Sequence, residues 1–184
     1  MGQTDQQLVK NFLEGDETAL EELVKKYLKP VYNFLYRLTN DASALDDLTQ
    51  ITFIKVWKNM RRFDQDKNFR TWLFAIAKNT AYDYLKKKKT IPFSAFTDEE
   101  GDNKLKNIPE DEILPDELLQ KADAARELEA ALLKIPYQYR IILLMRYKDD
   151  FSLQEIAEIL SEPYNTIKSR HQRALSAIKK TLES

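Results

Sequence analysis

Apolar residues recur every three or four positions along most of the chain, which is the spacing of amphipathic α-helices. In the first ninety residues the pattern predicts four helices, of which the last runs from about Phe69 to Lys89. The first is expected to end at Gly15 and the second at about Thr39, and the third runs from about Ser43 to Met60. This half of the chain is therefore predicted to be a small helical domain.

Capping signals and apolar stripes support these helices. Thr4 and Gln7 have the spacing of a capping box, and Asp16 suits the start of the second helix. The second helix keeps its apolar spacing at Leu20, Leu23, Val24, Tyr27, Leu28, Val31, Leu35 and Leu38. In the third helix the residues predicted to point inward are Leu45, Leu48, Ile51, Thr52 and Val56, with Phe53 and Trp57 left open.

The last thirty-odd residues carry the most specific pattern, two helices separated by a short break. Ser152 to Leu160 forms the first helix, with Ser152 and Glu155 as a capping box, and Asn165 to Lys179 forms the second. Pro163 in the break cannot continue a helix but suits the start of the next one. This spacing predicts a helix-turn-helix of the kind that reads DNA.

The second of these helices divides into an inner stripe and an outer polar face. At about 100° per residue, the inner stripe contains Ile167, His171, Ala174, Leu175 and Ile178, whereas Ser169, Gln172, Arg173 and Ser176 face away. From Tyr164 to Lys180 there is no acid, and the basic residues are Lys168, Arg170, Arg173, Lys179 and Lys180. The whole chain has a net charge of −1, so this helix concentrates positive charge, as a surface that faces phosphates requires. Lysines on a surface helix can also be present only for solubility.

Composition narrows the class of protein. The 184 residues allow one large or two small domains, and the three glycines disfavour a β-rich fold with many turns. Because cysteine is absent, a disulfide framework, a thiol nucleophile and a cysteine metal site are excluded. The longest aliphatic run near the C-terminal unit, Ile141 to Met145, is too short to span a bilayer. We expect a soluble, cytoplasmic, all-α protein without catalytic residues, metal or cofactor.

An acidic segment divides the chain. Between Ile91 and Gln120 nine acids stand against Lys104 and Lys106, and three prolines and a glycine interrupt the segment. Low hydrophobicity and high net charge are typical of a linker that does not order alone. The predicted domains are therefore residues 1–90 and 123–184, joined by a flexible acidic linker at 91–122.

Aromatic and basic residues are interleaved in the fourth helix and the loop before it. The basic members are Arg61, Arg62, Lys67, Arg70, Lys78 and Lys86 to Lys89, and the aromatic members are Phe63, Phe69, Trp72, Phe74, Tyr82 and Tyr84. Rings that stack on unpaired bases, next to cations that meet phosphates, are what single-stranded nucleic acid requires. Aromatic residues at helical spacing are more often core, which we expect for Phe74 and in part for Trp72.

Together, these residues resemble bacterial sigma-70-type initiation factors of the extracytoplasmic-function group. In the first domain the resemblance rests on Asp46, Asp47, Leu48, Thr49, Gln50, Phe53, Val56, Trp57, Phe63, Phe69 to Leu73, Ile76, Ala77, Asn79, Asp83 and the lysine run Lys86 to Lys89. In the second it rests on Ile135, Pro136, Arg140, the Ser152 to Leu160 helix, Thr166 to Arg170, Arg173 and Ala174. It implies two helical domains, one like sigma region 2 and one like sigma region 4.

The resemblance also implies partners and roles. Such a factor binds core RNA polymerase and promoter DNA, does not insert into membranes and is commonly held inactive by an anti-sigma factor. Asp46, Asp47 and Gln50 look like the patch that docks on the clamp helices of the polymerase, although two aspartates also suit the first turn of any helix.

For DNA, the resemblance implies one contact set in each domain. The set for the melted non-template strand of the −10 element is Phe63, Lys67, Asn68, Arg70, Trp72 and Asn79. Phe63 offers either a stacking or a packing surface, and Asn79 either reads a base edge or is an ordinary surface amide. The set for the −35 duplex is Arg146, Lys168, Ser169, Gln172 and Arg173.

The chain departs from the family pattern in its turns and at one helix position. Ser161 and Asn165 stand where glycine is common or usual, and Asp149-Asp150 replaces an acid-glycine pair. His171 replaces an aliphatic residue and is expected to be a packed or partly exposed ring. The alternative function is a helix-turn-helix regulator that binds DNA by itself, which leaves the aspartate patch and the aromatic-basic block unexplained.

Overall fold

A computed structural model describes residues 3–88 and 125–182, which form two compact units. The predicted acidic linker at residues 91–122 lies outside the described residues. The first unit contains four α-helices, with short 3₁₀ turns at Ala42–Ala44 and Met60–Arg62. The helices are α1 (Asp5–Leu13), α2 (Glu17–Thr39), α3 (Leu45–Asn59) and α4 (Phe69–Lys88). The predicted order of helices is thus confirmed, with boundaries within about two residues.

The capping signals are confirmed in the first unit. The backbone amide of Gln7 donates to Thr4 Oγ1 at 3.3 Å, while the Thr4 amide donates to the Gln7 side chain at 2.9 Å. Asp16 accepts a hydrogen bond from the Thr18 amide at 2.9 Å. Gly15 lies between the end of α1 and the start of α2. Its φ is 108°, a backbone conformation that residues with a side chain rarely adopt. Local sequence therefore sets where α1 ends and α2 begins.

Helix α2 is central to the first unit, because α1, α3 and α4 all pack on it. Its Leu23, Val31 and Leu35 are buried. Phe34 meets Phe74 of α4 edge-on, with ring centroids 5.0 Å apart, and both rings are fully buried. Phe74 is thus a core residue, as expected, and the four helices enclose one apolar core.

Several apolar side chains of α2 and α3 are exposed instead of buried. Ile51, which was predicted to point inward, is 42% exposed, and Leu28 of the apolar stripe on α2 is 48% exposed. Trp57, whose position was left open, is 56% exposed. Helix α3 packs on α2 and α4 through Leu48, Thr52 and Val56 and leaves its other apolar side uncovered. Helical spacing identified the apolar residues, but not which of them a neighbour covers.

The described residues 125–182 form α5 (Ala125–Lys134), α6 (Tyr137–Tyr147), α7 (Leu153–Leu160) and α8 (Tyr164–Leu182), and most of them belong to the second unit. Helix α8 packs on α6 and α5. The whole predicted inner stripe of α8 is buried, and Ala174, Leu175 and Ile178 join Ala131, Ile135 and Leu143 in one apolar cluster. None of the described helices is long and apolar enough to cross a membrane.

Candidate nucleic-acid interface

The turn between α7 and α8 is built from backbone and capping contacts. The amide of Ser152 donates to Glu155 Oε2 at 2.8 Å, and the Glu155 amide donates to Ser152 Oγ at 3.2 Å, so the predicted capping box is present. The left-handed residue of the turn is Ser161, with a φ of 60°. Asn165, which stands where glycine is usual in the family, lies within the first turn of α8, in agreement with the predicted helix from Asn165 to Lys179. Asp150, in the loop before α7, is also left-handed, with a φ of 53°.

The predicted DNA-facing residues of α8 lie on its outer side. Lys168, Ser169, Gln172 and Arg173 are half-buried, whereas the inner stripe is fully enclosed. Ser169 Oγ donates to the carbonyl of Thr166 at 3.0 Å, which engages its single proton on the helix itself. The outer face thus carries lysine, glutamine and arginine side chains beside a hydroxyl turned back to its own helix.

Arg170 does not belong to the exposed basic face, contrary to the prediction. It was counted with the phosphate-facing charges, but it is only 7% exposed and its Nη1 donates to Glu162 Oε1 at 3.2 Å. A buried arginine needs a partner for its charge, and Glu162 in the turn supplies one. Arg170 therefore ties α8 to the turn that precedes it.

Arg146 has a structural contact that the sequence did not suggest. Its Nη1 donates to the carbonyl of Phe151 at 3.2 Å, and its guanidinium lies 6.0 Å from the ring centroid of Tyr147. Phe151 is fully buried immediately before α7, so this bond connects α6 to the start of the helix-turn-helix. The residue itself is exposed, so it can also meet a phosphate.

Two of the residues predicted to contact the −10 element, Phe63 and Trp72, form an aromatic cluster with Phe69. Phe63 is 8% exposed; its ring lies 5.8 Å from Phe69, edge-on, and 4.8 Å from Trp72. Phe69 also contacts Tyr27 of α2 at 5.8 Å. Of the two possible uses of Phe63, this geometry favours packing, because a buried ring offers no face to a base.

Side-chain and backbone hydrogen bonds stabilise the loop from Phe63 to Asn68. Asn68 Oδ1 accepts from the Thr71 amide at 3.1 Å, which is the contact of a helix N-cap. Asp64 Oδ1 accepts from the Asp66 amide at 3.1 Å, and the Asp64 carbonyl accepts from the Lys67 amide at 3.0 Å. The sequence does contain a signal for this cap, namely an asparagine directly before Phe69. Asn68 was predicted only as a DNA contact.

The remaining residues predicted to contact the −10 element differ in exposure. Lys67 and Asn79 are exposed, and Trp72 is half-buried, as expected in part. Arg70 is half-buried, with its guanidinium 5.8 Å from the ring centroid of Phe74.

Lys78, which was predicted as part of the basic block, is buried instead. Its Nζ lies 5.4 Å from the ring centroid of Tyr82. Its charge does not face solvent.

The end of α4 is held to the turn before α3. Asp41 accepts hydrogen bonds from Tyr84 Oη at 2.6 Å and from Ser43 Oγ at 2.6 Å, and it also accepts from Lys88 Nζ. These donors, Lys88 first, lower the pKa of Asp41 below its usual range. Lys86 and Lys87 are exposed beside this anchor. Lys89, the last residue of the predicted lysine run, lies outside the described residues.

The predicted docking patch lies at the edge of an open apolar groove between α2 and α3. Asp46, Asp47 and Gln50 are exposed at the start of α3, where Ala44 provides no side-chain cap. The groove has a volume of about 750 Å³, and its lining residues are Val24, Leu28, Lys29, Tyr32, Asp46, Thr49, Gln50, Phe53, Ile54 and Trp57. The buried hydroxyl of Thr49 has no hydrogen-bond partner among the described residues.

Comparisons with known proteins cover both units. Residues 23–91 match the family model Sigma-70 region 2, and residues 125–178 match Sigma-70, region 4. The chain is 31% identical to the ECF RNA polymerase sigma factor SigW of Bacillus subtilis, over 95% of this chain and 94% of that protein. It is 34% identical to the RNA polymerase sigma-H factor of Pseudomonas aeruginosa, over 97% of this chain and 94% of that protein.

The chain belongs to the extracytoplasmic-function group of sigma-70 family sigma factors. The same fold occurs in the sigma factor RpoE of Bartonella quintana, solved with the anti-sigma factor NepR, at a TM-score of 0.62 and 21% identity. That likeness covers 89% of this chain and 96% of the other.

Sigma factors are transcription initiation factors, which bind core RNA polymerase and direct it to promoters without catalysing a chemical step. Membership accounts for both units of this sigma factor. The alternative of a regulator that acts alone is therefore not supported, because it leaves the region 2 match without a role.

His171 of α8 makes a partly buried polar contact with Tyr147 of α6 in this sigma factor. Its Nε2 lies 3.1 Å from Tyr147 Oη, and the two rings stack with centroids 5.8 Å apart. Burial, and secondarily the charge of Arg146, lower the pKa of His171 below its usual value. The expectation of a packed ring is confirmed, and its burial disfavours the charged form of the imidazole.

Acidification is expected to destabilise the second unit through His171. The unfolded chain takes up a proton near pH 6.5, whereas the folded chain resists it, so this contribution to stability is complete above about pH 6.5 and declines below it. Native-state hydrogen exchange of α8 amides at pH 7.5 and pH 5.5 measures the change. His171→Leu should flatten this dependence, since the chain has no other histidine; an equal decline in that variant would contradict the assignment.

Proposed function

We propose that this sigma factor reads the −35 element with the outer face of α8. The observation that carries this proposal is the separation of α8 into a fully buried inner stripe and an outer face that bears Lys168, Ser169, Gln172 and Arg173. An arginine pairs well with guanine and a glutamine with adenine in the major groove, while a lysine suits phosphates. Arg146 adds a phosphate contact from α6.

For the −10 element, we propose that some residues of the first unit contact the DNA and others support them structurally. Asn79, exposed on α4, reads a base that has left the duplex, and Lys67 and Arg70 meet the strand's phosphates. Trp72 offers the exposed part of its ring. Phe63 and Asn68 support these residues structurally, since Phe63 packs in the aromatic cluster and Asn68 caps α4. Capture of an unpaired base favours melting by mass action.

Core polymerase is proposed to dock on the groove between α2 and α3. Asp46, Asp47 and Gln50 supply a polar rim, and Ile54 and Trp57 supply exposed apolar surface. Exposed apolar groups rimmed by polar ones are typical of protein interfaces. The unpartnered hydroxyl of Thr49 in the lining is also consistent with an occupant that carries a polar group.

The proposed organisation has the promoter-opening domain at residues 1–90, the acidic linker at 91–122 and the −35 domain at 123–184. The sigma factor works in the cytoplasm, with core polymerase and promoter DNA. An anti-sigma factor is a further proposed partner, because the relative from Bartonella quintana was solved in complex with one.

Run-off transcription with purified core polymerase tests the proposed function. Core polymerase with this sigma factor is expected to start at defined promoters, and core polymerase alone is not. A pull-down provides a second measurement, because the chain should bind promoter fragments tightly only with core polymerase. Equally tight, sequence-specific binding by the chain alone would favour the regulator that acts by itself.

Substitutions on α8 separate base contacts from phosphate contacts. Arg173→Ala is expected to cost about 1–3 kcal/mol at one base pair and to relax the preference there. Lys168→Ala should weaken binding across all sequences and lower the slope of log affinity against log salt by about one. Binding of holoenzyme to promoter variants at several salt concentrations measures both. An unchanged promoter preference in Arg173→Ala would remove that residue from the base-reading set.

A further inference from the structure

A fifth residue on the outer face of α8 has a side chain suited to base reading. Helix α8 begins at Tyr164, so Asn165 is part of its first turn. At 100° per residue, Asn165 lies on the same stripe as Ser169, Gln172 and Ser176, opposite the buried residues. Asn165 is exposed, and none of the described residues forms a hydrogen bond with its side chain.

The two hydroxyls of this stripe are engaged by the helix itself. Ser169 Oγ donates to the Thr166 carbonyl at 3.0 Å, and Ser176 Oγ donates to the Gln172 carbonyl at 3.2 Å. Asn165 and Gln172 instead keep both an amide donor and an amide acceptor available. They are therefore the stripe's two side chains that can make a bidentate contact with a base edge.

We propose that Asn165 is a specificity-determining residue that reads an adenine of the −35 element. Asparagine and glutamine both pair with the N6 and N7 of adenine in the major groove. Residues early in a recognition helix are also the ones that usually meet base edges. Asn165 and Gln172 are seven residues apart, about 10 Å along the helix, which corresponds to about three base-pair steps. The −35 element thus carries two adenines about three base pairs apart.

This inference rests on the proposed function of α8, and a promoter library randomised in the −35 region tests it. Holoenzyme containing the wild-type chain, Asn165→Ala or Gln172→Ala is used to select bound DNA. Asn165→Ala should lose about tenfold preference for adenine at one position, with an unchanged salt slope. The preference that Gln172→Ala removes should lie about three base pairs away and persist in Asn165→Ala.

Asn33→Ala is the matched control, because Asn33 is an exposed helix asparagine in the other unit. Its selected sequences should equal those of the wild type. Alanine suits an exposed helix position, so Asn165→Ala should fold normally. Base preferences in Asn165→Ala identical to the wild type, or uniformly weaker binding with a lower salt slope, would overturn the inference. If wild-type holoenzyme itself has no −35 preference, the proposed function of α8 fails first.

Discussion

Trp57→Ala is expected to weaken binding to core RNA polymerase by about 30- to 1000-fold, which corresponds to about 2–4 kcal/mol. The ring is 56% exposed at the groove between α2 and α3, so its removal should leave the first unit folded. Tryptophan side chains that insert into a pocket of the partner commonly contribute a large share of the binding free energy of an interface. Affinity is measured with labelled sigma factor and core polymerase, and the urea midpoint of each variant reports its folding.

The matched control for this variant is Leu133→Ala. Leu133 is 67% exposed on α5 and is not a lining residue of the groove, so the loss of its side chain should change the affinity little. Trp57→Phe keeps an aromatic ring and should recover part of the affinity. Unchanged binding by Trp57→Ala would mean that core polymerase does not use this groove.

Phe63→Ala is expected to destabilise the first unit by about 3–5 kcal/mol. Phe63 is buried against Phe69 and Trp72, so its truncation leaves a cavity beneath the loop from Phe63 to Asn68. Urea unfolding of the full chain measures the loss. Tyr36→Ala is the matched control, because that exposed tyrosine should cost little.

Phe63→Leu separates the two possible uses of this position. Leucine keeps most of the apolar volume but provides no aromatic face. If Phe63 packs, as its burial indicates, Phe63→Leu should retain promoter opening in a permanganate footprint of unpaired thymines. Loss of opening in a variant of normal stability would instead show that a base stacks on the ring.

Helix order and helix ends were predictable because they depend on nearby residues. Thr4 with Gln7, Asp16, and Ser152 with Glu155 form the caps that their spacing predicts. The inner stripe of α8 was also predicted in full. A capping box needs only residues three positions apart, and an amphipathic stripe needs only helical periodicity.

The corrected side chains all depend on a neighbour distant in sequence or on the turn conformation. Ile51 is exposed because no described helix covers that side of α3. Arg170 is buried because Glu162 meets its guanidinium across the turn. In the turn itself, Ser161 takes the left-handed conformation at a position where glycine is common in the family. A list of charges does not reveal which of them are paired.

By itself, the sequence determined that this chain is an all-α sigma factor with a helix-turn-helix, because helical periodicity, local caps and family motifs are properties of the order of residues. Only the tertiary structure decided which side chains remain available to partners. Lys78 and Arg170 are buried, Phe63 packs with Phe69 and Trp72, and Leu28, Ile54 and Trp57 line an open groove. The physical reason is that burial depends on which helices meet, and those contacts join residues far apart in the chain.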